Sequence, residues 1–186
     1  MQFIVIKKEN RKQAIEQAVR SIRFGRLVVA KADTSYAILG LPNSKRAQDE
    51  LKRIKNGRGS RLYSVFVPRK KDIIDATPEQ HKDLVRKLVP GEVSIVINRR
   101  KPAMRYIRQS TINSIVSAIG EPLTATSANP SDSTPARTLE DMRKYFACNR
   151  ILILFEGNVT EKLPSTIIDV GGPKPKVLRQ GSVTLN

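Results

Sequence analysis

Residues 122–129 read Pro122-Leu123-Thr124-Ala125-Thr126-Ser127-Ala128-Asn129, an extended run that ends in small hydroxylated residues and an asparagine. The end of such a strand presents hydroxyl groups, a side-chain amide and backbone N–H groups, which together can hold phosphate or carboxylate oxygens. By composition alone, a turn with local side-chain caps explains the same residues better. The choice between a ligand site and a turn therefore depends on what lies on either side of this run.

On both sides, short apolar segments alternate with segments in which apolar residues recur at helical spacing. The pattern predicts strands at 3–6, 27–30, 63–67, 93–97, 122–126, 151–155, 166–170 and 176–179. It predicts helices that begin at Asn10, at Ser44, at a capping box in 77–80, before Ile112 and at Thr138. This alternation is typical of an α/β fold with a mixed sheet covered by helices. A length of 186 residues fits one domain, 1–186.

The charge balance is strongly basic, with 34 Lys and Arg residues against 17 Asp and Glu residues and a net charge of +17. Such a surplus attracts polyanions such as RNA, DNA or free phosphates, although a surface shaped only by solubility has the same balance. The cations cluster between Lys45 and Lys71, where ten of them are opposed only by Asp49 and Glu50. Within this cluster, the loop 55–61 combines three cations with two glycines, which indicates either a phosphate-binding loop or a flexible basic turn.

Rare residue types exclude several kinds of site. Cys148 is the only cysteine and His81 the only histidine, which excludes an intramolecular disulfide, a Cys-rich zinc site and a His-cluster metal site. His81 lies in a polar stretch and is expected at the surface. The apolar run 3–6 is too short for a signal peptide, and no segment approaches the roughly 20 apolar residues of a membrane span. We therefore expect a cytoplasmic protein without a membrane partner.

Six segments, taken in order, point to a known family. They are Asp33-Thr34-Ser35-Tyr36-Ala37, the helix and basic loop around Lys55, Pro90-Gly91-Glu92-Val93-Ser94-Ile95 followed by Arg105, Thr126-Ser127-Ala128-Asn129, Pro164-Ser165-Thr166-Ile167-Ile168-Asp169 and Val177-Leu178-Arg179-Gln180-Gly181. In this order they resemble the YrdC-like family of threonylcarbamoyl-AMP synthases, over a range from 27 to 181. The resemblance implies a single twisted mixed sheet that forms an open sandwich with helices and has a basic concave face.

The resemblance also implies a reaction. The family makes threonylcarbamoyl-AMP and pyrophosphate from L-threonine, bicarbonate and ATP, for N6-threonylcarbamoyladenosine in tRNA. Such chemistry relies on positioning and charge stabilisation, so neither a catalytic nucleophile nor a protein metal site is expected. Mg²⁺ is implied to bridge the ATP phosphates with few protein ligands. The implied partners are tRNA, through the basic concave face, and other proteins of tRNA threonylcarbamoylation.

Matched residue by residue, the resemblance implies two groups of site residues. The residues implied to bind ATP are Lys55, Arg58, Ser127, Asn129 and Arg179. The residues implied to bind threonine are Asp33, Thr34, Arg105, Ala125 and Ser165. A planar guanidinium such as that of Arg105 suits a bidentate carboxylate.

The chain differs from the usual family pattern at Ala32, where most members carry a threonine whose hydroxyl belongs to the threonine site. The segment 33–37 is closer to the YciO-like branch of the family, and the arginine after Lys55 is shifted by one position, to Arg58. Two other functions stay open. One is a non-catalytic, RNA-binding relative that uses the same basic concavity for tRNA or rRNA. The other is nucleotide-dependent carbamoyl transfer to a different amine.

Overall fold

The computed structural model describes residues 1–57 and 63–184. Within them lie the strands β1 (Gln2–Val5), β2 (Val28–Lys31), β3 (Tyr36–Gly40), β4 (Ser64–Phe66), β5 (Val93–Val96), β6 (Met104–Arg105), β7 (Leu123–Ser127), β8 (Leu152–Phe155), β9 (Thr166–Asp169) and β10 (Lys176–Arg179). The α-helices are α1 (Arg11–Arg23), α2 (Lys45–Ile54), α3 (Lys70–Ala76), α4 (Lys82–Leu88), α5 (Thr111–Ile119) and α6 (Leu139–Phe146). No helix in these two ranges is long and apolar enough to cross a membrane.

All ten strands join one sheet in the order β1-β8-β2-β3-β7-β4-β6-β5-β9-β10. The pairs β1–β8, β8–β2, β4–β6 and β5–β9 are parallel. The remaining neighbours are antiparallel. The predicted α/β fold with a single mixed sheet is therefore confirmed. Each strand predicted from the sequence is present, with ends shifted by one residue at most.

Successive side chains of a strand point to opposite faces of the sheet, so the apolar core is divided between these two faces. In β3, Ala37 and Leu39 pack under α1 and α5 on the first face. Tyr36 and Ile38 point the other way and pack under α2 and α6 on the second face. The helices that the sequence predicts from apolar stripes therefore cover the sheet from both sides.

Farther along the sheet, α3 and α4 cover the second face. Their residues Ile73 and Val85 join a separate apolar cluster with side chains of β4, β5 and β9, among them Ile95. On the first face, the same strands carry Ser64 and Ser94, and these serines line a cavity. The fold thus leaves a polar part of one sheet face open.

Local signals for helix ends are confirmed at three places. Ser44 Oγ accepts a hydrogen bond from the Ala47 N–H at the start of α2. At the start of α6, Thr138 Oγ1 accepts from the Asp141 N–H. Gly120 ends α5 with a φ of 88°, in the left-handed region that favours glycine.

Two local predictions are wrong. The capping box at 77–80 does not form, because the Thr77 hydroxyl donates to the Ile73 carbonyl oxygen at 2.7 Å and so belongs to the end of α3. A short 3-10 turn, Glu79–His81, precedes α4 instead. His81 is buried rather than exposed, since its Nε2 lies 2.8 Å from the carbonyl oxygen of Gly172 in the loop after β9.

Candidate functional site

A cavity of about 1080 Å³ opens on the first face of the sheet and is lined by residues of β3–β7 and β10. Its lining includes the cations Lys55, Arg105, Arg137, Lys162 and Arg179 and the carboxylates Asp132 and Glu161. Hydroxyl groups supply much of the remaining polar surface. An excess of cations in a concave site attracts anionic ligands, and the volume is at the upper end of the range of small-molecule sites.

The end of α2 brings Lys55 to the edge of this cavity. Its Nζ donates to the carbonyl oxygens of Ser127 and Asn129, at 2.9 and 2.8 Å, and to Asn129 Oδ1 at 2.9 Å. Burial lowers the pKa of Lys55 to about 8. Ser127 Oγ donates to Asn129 Oδ1 at 2.6 Å. Three residues that the family resemblance assigns to ATP therefore form one hydrogen-bonded cluster.

Arg105 forms a buried ion pair on the same cavity. Its Nη2 lies 2.6 Å from Asp33 Oδ1, and the guanidinium lies 5.8 Å from the centre of the Phe66 ring. Burial lowers the pKa of Arg105 and the Asp33 carboxylate acts in the opposite direction, but a guanidinium stays protonated in either case. Arg105 Nε is buried and has no hydrogen-bond partner among the described residues.

Arg179 lies on the same cavity wall and contacts Ser165. Its Nη2 donates to the Ser165 carbonyl oxygen at 2.7 Å and to Ser165 Oγ at 3.2 Å. Ser94 Oγ lies 3.2 Å from Ser165 Oγ. Burial lowers the pKa of Arg179, and the positive charge of Arg105 lowers it further. The two guanidinium groups therefore repel each other, and an anion bound near both relieves that repulsion.

The structure places most of the predicted site residues on this one cavity. Those that line it are Thr34, Lys55, Arg105, Ala125, Ser127, Ser165 and Arg179. Asp33 and Asn129 lie behind the lining, hydrogen-bonded to Arg105 and Lys55. Arg58 and the rest of the predicted basic loop up to residue 61 lie outside the described residues.

The cavity also contains residues that sequence reasoning missed. Tyr63 lines it with a buried hydroxyl that has no hydrogen-bond partner in the described part of the chain, and burial raises the pKa of this group. Ser131 and Arg137 lie in the segment between β7 and α6 and carry no motif. Only the fold brings these residues to the cavity, so the sequence offered no signal for them.

Gly181 allows the chain to pass close to Ser165. A Cβ at this position would lie 2.0 Å from the Pro164 carbonyl oxygen and 2.6 Å from the Ser165 carbonyl carbon. We expect Gly181→Ala to lower the free energy of unfolding by about 1–3 kcal/mol, the usual cost of overpacking. Urea denaturation measures the change. The control is Gly172→Ala, whose Cβ would meet only the Lys174 carbonyl oxygen, at 3.8 Å. Equal losses in both variants would contradict this interpretation.

The cavity does not fit a resident metal ion. Within residues 1–57 and 63–184, no three carboxylate, imidazole or thiol side chains lie close enough together to hold one. Asp33, the carboxylate beside the predicted amino-acid site, is already paired with Arg105. The described residues therefore assign no role to a protein-bound Mg²⁺.

Comparison with known proteins gives one family. The sequence profile of the Sua5/YciO/YrdC family, described as telomere recombination, matches residues 20–181. The threonylcarbamoyl-AMP synthase of Thiobacillus denitrificans is 27% identical over 169 residues, which cover 82% of this chain and 89% of that protein.

Two solved structures share the fold. The crystal structure of E. coli YciO superposes with a TM-score of 0.81 at 20% identity and covers 97% of this chain and 94% of its own. The crystal structure of P. abyssi Sua5 complexed with L-threonine superposes with a TM-score of 0.78 at 18% identity. That match covers 97% of this chain and 56% of the Sua5 chain.

Proposed function

This chain belongs to the Sua5/YciO/YrdC family, and we propose that it is a threonylcarbamoyl-AMP synthase. It joins L-threonine, bicarbonate and ATP into threonylcarbamoyl-AMP and releases pyrophosphate, in the cytoplasm, for tRNA modification. One observation carries the proposal: two guanidinium groups, the buried Arg105 and the exposed Arg179, lie on one cavity together with the cluster around Lys55. A planar guanidinium suits a carboxylate, and several cations beside hydroxyl groups suit phosphates.

The proposed chemistry needs no protein nucleophile. Bicarbonate and the threonine amine form a carbamate and water. A carbamate oxygen then attacks the α-phosphorus of ATP, and the bond from that phosphorus to the departing pyrophosphate breaks. Arg179 stabilises the charge on the phosphates, and positioning does the rest. His81, the only histidine, contacts the Gly172 carbonyl oxygen and is not part of the cavity lining.

On the amino-acid side, the Arg105 guanidinium holds the threonine carboxylate while Asp33 fixes the orientation of that guanidinium. Thr34, Ala125 and Ser165 form the surrounding surface.

Ala32 lines the cavity with a methyl group where most of the family offers a hydroxyl. Sites that hydrogen-bond a substrate hydroxyl strongly reject the analogue that lacks it, whereas apolar sites distinguish two isosteres that differ by a hydroxyl only by about a hundredfold. We expect L-valine, which has the shape of L-threonine without the hydroxyl, to be used with a kcat/KM within about a hundredfold of that for L-threonine. Ala32→Thr should increase the preference for threonine. Competition between the two amino acids measures it, and a threonine preference of several orders of magnitude would refute this view of Ala32.

Substrate-dependent pyrophosphate release tests the proposed reaction. We expect release only when ATP, bicarbonate and an amino acid are all present, and a nucleotide product with the mass of threonylcarbamoyl-AMP. Arg179→Met should abolish most of the release, whereas Lys52→Met, an exposed charge loss on α2, should leave it unchanged. Release that does not depend on the amino acid would contradict the assignment.

A second candidate function is RNA binding without chemistry, which the net charge of +17 favours. The cavity cations and the exposed cations of α2 can neutralise phosphates of tRNA or another structured RNA. The two functions are compatible, because a synthase in tRNA modification works beside tRNA and the other proteins of that pathway. RNA binding in a protein that fails the pyrophosphate test would favour the second function alone.

A further inference from the structure

The hydrogen bonds of Lys55 leave it no donor to offer. An ammonium group has three N–H donors and no acceptor. Within the structure, three oxygens at 2.8–2.9 Å match them: the carbonyl oxygens of Ser127 and Asn129 and Asn129 Oδ1. All three belong to the chain itself, so a phosphate oxygen can bind Nζ only by displacing one of them.

The main chain of Lys55 is tied to the same region. Ser131 Oγ donates to the Lys55 carbonyl oxygen at 2.7 Å. Asn129 Nδ2 donates to the Ser133 carbonyl oxygen, and Asp132 has a φ of 66°, in the left-handed region. Residues 127–133, called here the nucleotide turn, therefore have a defined shape, and Lys55 holds this turn from the outside through both its side chain and its backbone.

The environment of Lys55 supports the same view. The residue is 7% exposed, and burial lowers its pKa to about 8. A lysine that serves as a point charge for phosphates is usually presented to the ligand, whereas this one is enclosed by backbone and amide oxygens. The ammonium group thus donates to three acceptors of one turn and holds them together.

We propose that Lys55 is a positioning residue that holds the nucleotide turn in its binding shape and does not contact the ATP phosphates. The inference rests on the proposed function, since it assigns the turn to the nucleotide. It replaces the expectation that the Lys55 ammonium binds phosphate directly. The lining residues of the turn then meet the nucleotide through groups other than the Lys55 ammonium, and Arg179 remains a phosphate ligand.

A series of nucleotides with different numbers of phosphates tests the proposal. Calorimetry gives the affinities of wild type, Lys55→Met and the control Lys52→Met for ATP, ADP, AMP and adenosine. A positioning role predicts that Lys55→Met loses the same factor, about tenfold, for all four ligands. Lys52→Met shows how much the loss of any positive charge on α2 changes the affinity for the phosphate-bearing nucleotides. The proposal would be overturned if Lys55→Met lost more affinity than Lys52→Met, and if this extra loss grew with each phosphate and vanished for adenosine.

Amide hydrogen exchange without ligand supplies an independent readout. A positioning role predicts faster exchange in 127–133 in Lys55→Met, with unchanged exchange in β3 and α5. Unchanged exchange in the turn would overturn it. If Lys55→Met fails to fold, Lys55→Gln keeps part of the hydrogen bonding and is measured instead. If wild type binds none of the four ligands, the proposed function fails, and exchange in the turn still decides the role of Lys55.

Discussion

Arg105→Gln is expected to weaken L-threonine binding on the order of a hundredfold while ATP binding changes by only a few fold. Truncating one partner of a buried, hydrogen-bonded charge pair typically costs about 2–5 kcal/mol. Arg105 is such a partner, because its side chain is buried and its Nη2 donates to Asp33. Calorimetric titration with threonine, in the presence and absence of ATP, measures the effect.

The matched control is Arg108→Gln, which removes an exposed arginine three positions along the chain. It should leave threonine affinity unchanged. Thermal unfolding of both variants shows whether the loss of the Asp33 ion pair has unfolded the protein. A folded Arg105→Gln protein that binds threonine within about threefold of wild type would remove Arg105 from the amino-acid site.

RNA affinity is expected to fall on the order of a hundredfold for a fourfold rise in salt. Each phosphate neutralised contributes roughly 0.7–0.9 to the slope of log affinity against log salt, and we expect five or six such contacts. The cations between Lys45 and Lys71 include exposed helix pairs such as Lys45 with Asp49, at 2.7 Å. Exposed ion pairs are weak, so these cations can exchange their partners for RNA phosphates.

Filter binding of tRNA at several salt concentrations measures this slope. Sequence preference should be slight, because phosphate contacts position an RNA without reading its bases. The charge reversal Arg46→Glu, at an exposed position on α2, should lower the slope, and Glu9→Gln, far along the chain on an exposed turn, should not. Affinity that ignores salt would mean that the surplus charge serves solubility alone.

The strands that sequence reasoning located are those with an apolar run of their own. Tyr36–Gly40 was missed because the polar motif at 33–37 overlaps its start, although all five residues are buried. Met104–Arg105 is too short to give a periodic signal. In Lys70–Ala76 only Ile73 is buried, so no apolar stripe marks the helix. These elements depend on pairing and packing partners that lie far away in the sequence.

The same distinction between local sequence signals and contacts with distant residues holds for the site. The ordered motifs predicted residues that lie on one cavity, because each motif lies at or beside one end of a strand or helix there. The ion pair of Arg105 with Asp33 spans 72 residues, and no local pattern indicates it. The three bonds of Lys55 likewise depend on how β7 lies beside the end of α2. Residue types could be inferred from sequence, but which donors are free and which are already used could not.

Transfer of bicarbonate carbon into a nucleotide tests the central claim most directly. With carbon-labelled bicarbonate, ATP and L-threonine, we predict a labelled adenylate with the mass of threonylcarbamoyl-AMP, formed in equal amounts with pyrophosphate. The label should be absent when threonine is omitted and strongly reduced in Arg179→Met. Pyrophosphate without labelled nucleotide, or no product from folded protein that binds ATP and threonine, would contradict the proposed synthase.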